Sequence, residues 1–93
     1  MDLVVTYDIR TDSAEGRRRL RKVAQVCLNY GQRVQYSVFE CRVDERTFVK
    51  LRRGLEQAIK SSEDSIRIYW ISPSDTWIAG VDHYIDFDEP LLF

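Results

Sequence analysis

The sequence predicts an α+β fold in the order β-α-β-β-α-β, with both helices on one face of an antiparallel sheet. Three observations predict it. Two segments carry apolar residues at helical spacing, and each follows an acid suited to an N-cap. Strand-like runs lie before, between and after those segments. The 93 residues hold no repeat, linker or low-complexity stretch, so they make one domain, 1–93, around one core.

Leu3-Val4-Val5-Thr6-Tyr7-Asp8-Ile9 is nearly continuous in apolar and β-branched residues, as a central strand covered on at least one face would be. Asp12-Ser13-Ala14-Glu15 follows the capping-box pattern with Asp12 at the N-cap. The spacing then predicts a helix from about Ser13 to Tyr30, with Gly31 as its left-handed stop. Leu20, Val23, Ala24, Cys27 and Leu28 form its core stripe. From Arg33 to Val43 the chain is extended, but its apolar phase changes between Val38 and Phe39. Such a switch means a bulge, a kink, or a very short strand joined to a longer one, and no Asn-Gly or Gly-Gly pair marks the break. Asp44 caps a second helix of about Glu45 to Lys60, with Phe48, Leu51, Leu55 and Ile59 as its stripe. After a polar turn at Ser61 to Asp64, Ser65 to Ser72 alternates as a strand does. Ser72-Pro73-Ser74-Asp75 is a turn, and Trp77-Ile78-Ala79 suits a further short C-terminal strand.

A sheet with both helices on one side leaves its other face uncovered. A homodimer packed sheet to sheet in two-fold symmetry would cover it. The tail, residues 73–93, would then be exchanged with the partner subunit, Trp77 and Ile78 adding a strand to its edge.

Apolar residues make up 44% of the chain and charged residues 31%, an ordinary globular balance. No apolar run approaches the ~20 residues of a membrane span, and the amino end lacks the basic and small-residue features of a secretory signal. Two cysteines, Cys27 and Cys41, make no disulfide framework and lack metal-ligand spacing; the expectation is reduced, buried thiols in a cytoplasmic protein. The net charge of -1 hides an asymmetry. Residues 1–60 carry thirteen Lys and Arg against eight Asp and Glu, whereas residues 61–93 carry one against seven. Eleven of the fourteen basic residues are Arg, whose forked guanidinium suits phosphate. A basic body points to an anionic partner, or to a solvated surface with internal ion pairs.

Asp8 is the first candidate for chemistry. A carboxylate at a strand end can hold Mg²⁺, a hard ion that keeps several waters, but one carboxylate makes a poor site. Two Asp8 residues facing each other across a dimer axis would make a better one, with a metal between them stabilising a phosphoryl oxygen. The competing reading is an acid that caps its loop or pairs with Arg10. The second candidate is the basic run Arg17-Arg18-Arg19-Leu20-Arg21-Lys22 together with Arg33, a stripe suited to nucleic-acid phosphates or simply a solvated helix face. His83, the only histidine, lies in the tail and makes weak support for metal-independent ribonuclease chemistry. Ser37 has no triad partner in the pattern, and Cys27 and Cys41 sit among core residues. Gln35-Tyr36-Ser37-Val38-Phe39-Glu40 lacks the signature of the RNA-recognition modules that share this topology.

Three segments resemble a known family: Val5-Thr6-Tyr7-Asp8-Ile9, Arg19-Leu20-Arg21-Lys22-Val23, and Gly31-Gln32-Arg33-Val34-Gln35-Tyr36-Ser37-Val38-Phe39-Glu40-Cys41. They look like the CRISPR-associated "Cas-two" proteins, the small partners of the spacer integrase. Ile66-Arg67-Ile68-Tyr69 fits as well, and the likeness runs through Ser72. The resemblance implies a ferredoxin-like homodimer with an exchanged C-terminal strand. It implies a metal-dependent endonuclease of CRISPR adaptation, acting on RNA or double-stranded DNA, with Asp8 as the Mg²⁺ ligand. It also implies a dimer that bridges integrase dimers and binds spacer DNA, with Arg17, Arg18, Arg21 and Arg33 on the nucleic-acid backbone. Tyr7, Ser37 and Phe39 fall in the matching motifs as possible cleft-lining residues. Two alternatives stay open: a non-catalytic DNA-binding scaffold of the integrase complex, and a toxin-like ribonuclease.

Overall fold

The first strand, β1 (Asp2–Asp8), alternates between buried Leu3, Val5 and Tyr7 and less covered Asp2, Val4 and Thr6. This period of two places every odd side chain under the helices and every even one on the opposite face. The structure is a computed structural model that describes residues 1–81. The remaining elements are α1 (Ala14–Leu28), β2 (Gly31–Gln35), β3 (Val38–Arg42), α2 (Glu45–Ala58), β4 (Ser65–Ile71) and a 3₁₀ turn at Pro73–Asp75. The four strands form one sheet in the order β2-β3-β1-β4, with every pair antiparallel. This is the predicted ferredoxin-like plan, with β1 central and both β2 and β4 at edges.

The core lies between the sheet and the helices. Leu3, Val5 and Phe39 from the strands and Val23, Cys27 and Leu51 from the helices are fully buried. Register sets these contacts: Leu3 stands opposite Cys41 and Val5 opposite Phe39 on one side, with Val5 opposite Ile68 and Tyr7 opposite Ile66 on the other. On the uncovered face Val4, Thr6, Val38 and Ile71 are half-buried and Tyr69 is exposed. The Asp2 carboxylate accepts from Arg42 Nε there at 2.8 Å.

Several boundaries differ from the sequence reading. Ser13, not Asp12, caps α1: its Oγ accepts the Gly16 N–H at 3.0 Å. Asp12 pairs with Arg10 instead. The helix ends at Leu28 with Asn29 in right-handed backbone, so Gly31 is no left-handed stop. Glycine is required at 31 because a Cβ would run into the Glu40 carbonyl and Cys41 across the β2–β3 pair. The core stripe of α1 also turns. Leu28 is exposed while Val26 packs against the core and against Gly54 of α2, so contact with the second helix decides which side chain is covered. The break in phase near Val38 is a hairpin. Gln35 pairs with Val38 around Tyr36-Ser37, with a register shift between Arg33 and Gln35. Neither turn residue has a positive φ, so the primed turns that Asn-Gly would announce are not used. Helix α2 begins at the expected cap, Asp44, which accepts the Thr47 N–H at 2.7 Å. Beyond β4, Trp77, Ile78 and Val81 are exposed, and residues 76–81 pair with no strand among the described residues.

Candidate functional site

Asp8 ends β1, opposite Ser65 of β4, and is exposed. The pleat turns its side chain to the uncovered face, away from buried Tyr7 and Ile9. Its carboxylate makes no hydrogen bond or ion pair among the described residues. Arg10, the partner expected in the competing reading, is drawn elsewhere: its Nε meets Asp12 at 3.0 Å and its Nη1 lies 3.9 Å from Glu63. Asp8 is thus a hard oxygen donor with no hydrogen-bond or ion-pair partner among the described residues.

The backbone around Asp8 is held from three sides. The Tyr7 N–H donates to the Ser37 carbonyl at 3.2 Å, which carries the β2–β3 hairpin up to the end of β1. On the other side β1 pairs with β4 as far as Asp8 and Ser65. Two residues on, the Arg10 N–H donates to Asp64 Oδ1 at 3.1 Å. Asp64 is the one buried charged side chain among the described residues. Its Oδ2 also accepts from Arg19 Nε at 2.7 Å and from the Lys60 N–H at 2.9 Å. The Arg19 guanidinium, together with the Lys60 and Arg10 amides, holds this carboxyl at a pKa of about 2 against the opposing pull of burial. Glu63 reinforces the cluster, accepting from Arg19 Nη2 at 3.1 Å. Gly16 lets the first turn of α1 sit against this loop, since a Cβ there would overlap the Arg10 carbonyl.

The basic residues divide. Arg19 is largely buried against Asp64 and is unavailable to phosphate. Arg17, Arg18 and Arg21 are exposed on α1; Arg17 reaches the Thr11 carbonyl at 3.3 Å and Arg18 lies 3.5 Å from Glu15. These exposed contacts are weak and can be exchanged for a phosphate. Arg33, exposed on edge strand β2, stacks its guanidinium 5.0 Å from the Phe39 ring centre.

Two of the three cleft-lining expectations need correction. Phe39 is completely buried, and Tyr7 nearly so, their rings 6.1 Å apart on the helix side of the sheet. Both belong to odd-phase strand positions, which the pleat turns into the core, so they support the site from beneath. The Ser37 carbonyl accepts from the Tyr7 N–H, one residue before Asp8. Cys27 and Cys41 are free and buried; burial pushes Cys27 up to about 12 and Cys41 to about 11, so neither is a nucleophile at neutral pH. His83 lies outside the described residues.

No cluster of three or more His, Cys, Asp or Glu suited to a metal occurs among the described residues. No helix among them is long and apolar enough to cross a membrane. The described residues therefore offer a single unengaged carboxylate on an open sheet face, with Arg17, Arg18 and Arg21 on α1, the helix that follows it. Nothing in the pattern of residues points to Asp64, because an acid ending a polar turn is ordinary; its role depends on donors from α1, the loop after β1 and the start of its own turn.

Comparison with known proteins follows the same lines. Residues 1–77 match the family model described as CRISPR associated protein Cas2. A protein of Moorella thermoacetica named CRISPR-associated endoribonuclease Cas2 1 is 50% identical, the match covering 99% of each chain. One of Halalkalibacterium halodurans named CRISPR-associated endonuclease Cas2 is 44% identical over the full length of both. The crystal structure of Streptococcus pyogenes Cas2 at pH 6.5 superposes with a TM-score of 0.77 at 44% identity, covering 86% of this chain and all of that one.

Proposed function

The chain belongs to the CRISPR associated protein Cas2 family, and from that premise we propose that it is a metal-dependent endonuclease of CRISPR adaptation. It would hydrolyse phosphodiester bonds of RNA or double-stranded DNA as a homodimer. The observation that carries this reading is Asp8: an exposed carboxylate at a strand end with no partner among the described residues. A solvated acid that only capped its loop would be engaged by Arg10 or by backbone N–H groups, and this one is not.

The donor chemistry fits Mg²⁺, which prefers carboxylate oxygen and retains waters. Asp8 and Asp8 of the partner subunit would hold the ion between them. Bound there, Mg²⁺ would stabilise charge on a phosphoryl oxygen and lower the pKa of a bound water. The protein's own part is to aim the carboxylate and to bind the nucleic-acid backbone. Arg17, Arg18, Arg21 and Arg33 bind it by neutralising phosphates, which needs no particular base sequence. Val4, Thr6, Val38, Tyr69 and Ile71 supply the face that a second copy would cover, and residues 73–93 are the segment proposed to cross to it.

With purified dimer and labelled RNA and double-stranded DNA, cleavage is expected in Mg²⁺ and is expected to stop on chelation and return when Mg²⁺ is restored. Cleavage unchanged by a chelator would sink the metal-dependent reading. Binding gives a second check. Changing Arg17, Arg18 and Arg21 together to Gln should flatten the plot of log affinity against log salt by about one unit of slope for each phosphate that is no longer neutralised. An unchanged slope would place the nucleic-acid face elsewhere.

The second reading is a non-catalytic scaffold that holds spacer DNA and bridges integrase dimers. It is favoured by one observation: each subunit offers a single unengaged carboxylate at this end of the sheet and, among the described residues, no histidine beside it. A variant that loses cleavage while spacer acquisition continues in cells would make this the biological role.

A further inference from the structure

We infer that Asp64, gripped by Arg19, is the positioning residue of the proposed nuclease site: it fixes where the chain leaves β1 and so where the Asp8 carboxylate points. The inference rests on the reading of Asp8 as the metal ligand. Its basis is the convergence of three segments on one buried carboxylate. Oδ1 takes the Arg10 N–H from the loop after Asp8 at 3.1 Å, and Oδ2 takes the Lys60 N–H from the turn between α2 and β4 at 2.9 Å. Arg19 of α1 approaches both oxygens, with Nε at 2.7 Å from Oδ2 and Nη2 at 3.4 Å from Oδ1. The next residue, Ser65, is the β-ladder partner of Asp8. One side chain thus sets the chain just after Asp8 and the start of the strand beside it.

Stability alone does not call for this arrangement. A buried ion pair is weak support for a fold, since apolar side chains of equal volume often serve as well. What apolar packing cannot give is direction. Arg19 offers a planar fork, and the two backbone amides come from the loop after β1 and the turn before β4, which the carboxylate ties together just beyond the end of the β-ladder. Arg19 is the arginine of the basic run that is withdrawn from solvent, so its effect on the reaction would run through Asp64 and not through phosphate. Groups that hold a metal-ligating carboxylate in place typically influence metal affinity or activity ~10–100-fold.

The test uses the full-length dimer with Asp64→Asn and, separately, Arg19→Lys, at a temperature where melting curves show each variant folded. Lys keeps the charge but loses the fork, so Arg19→Lys keeps the proposal testable if Asp64→Asn does not fold. Three quantities are read: kcat in Mg²⁺, metal-free affinity for the same nucleic acid at fixed salt, and Mn²⁺ affinity by electron paramagnetic resonance. The expected result is a fall in kcat of ~10-fold or more and a Mn²⁺ affinity weaker by a similar factor, with nucleic-acid affinity within about twofold of wild type. Folded variants with wild-type kcat and Mn²⁺ affinity would overturn the inference, as would a loss confined to nucleic-acid binding. The Asp8 reading fails separately, if wild-type and Asp8→Asn proteins cleave alike. Should the wild type not cleave at all, Mn²⁺ affinity alone judges the inference, and a wild type that binds no Mn²⁺ overturns both.

Discussion

Asp8→Asn is expected to lower metal-dependent cleavage on the order of 10²–10³-fold, the size of effect seen when one group that stabilises transition-state charge is removed. The melting temperature should stay within about 1–2 °C of wild type, because Asp8 is exposed and makes no hydrogen bond or ion pair with a described residue. Asn keeps the size of the side chain and one oxygen but loses the charge, which a hard divalent ion needs. Nucleic-acid affinity measured without metal should hold or rise slightly, since an acid near the phosphates has gone. The comparison is a cleavage rate against a thermal melt on one preparation. Activity that survives the change would remove Asp8 from the metal site.

Asp64→Ala acts on the other side of the account. Removing the carboxylate leaves the Arg10 and Lys60 N–H groups and the Arg19 guanidinium without their acceptor. Breaking a buried pair from one side is costly, and here on the order of 3 kcal/mol is expected. For a domain of this length that is a drop of roughly 15 °C in melting temperature. The same carboxylate predicts an acid limb. In the folded chain its pKa is about 2, below the ordinary 3.8. A depressed folded value means that the stabilisation is complete above about pH 4 and is lost as pH falls toward 2. The difference corresponds to on the order of 2 kcal/mol. Denaturant titrations at pH 5, 4, 3 and 2.5 should show wild type losing stability over that window and Asp64→Asn losing less. Parallel loss in both would show that other carboxylates set the acid limb.

The topology was legible because its causes are local. β1 carries the alternation of a strand with one covered face, and Ser65–Ile71 repeats it; the helix stripes mark themselves by spacing. Asp44 was readable as a cap, and Asp8 as lying at the carboxyl end of a strand. What escaped was set by contacts distant in sequence. Gly31 reads as a helix stop, yet its reason is the close approach of Cys41 ten residues on. The choice of Val26 over Leu28 depends on where α2 lies. Tyr7 and Phe39 fall in the segments that carry the family resemblance, but pleat parity turns both into the core. Arg19 cannot be told from Arg17, Arg18 or Arg21 by its sequence; only the fold brings it to Asp64, more than forty residues away.

Counting the carboxylates that each site requires decides whether two subunits share it. Wild-type and Asp8→Asn subunits would be co-expressed with different tags and allowed to associate at random, and total cleavage measured against the wild-type fraction. If each site needs Asp8 from both subunits of a two-fold dimer, activity follows the square of that fraction, about one quarter at equal mixing. Activity in direct proportion, about one half at equal mixing, would mean that each subunit carries its own site, and about three quarters would mean that one Asp8 per dimer is sufficient; either result would contradict the shared site.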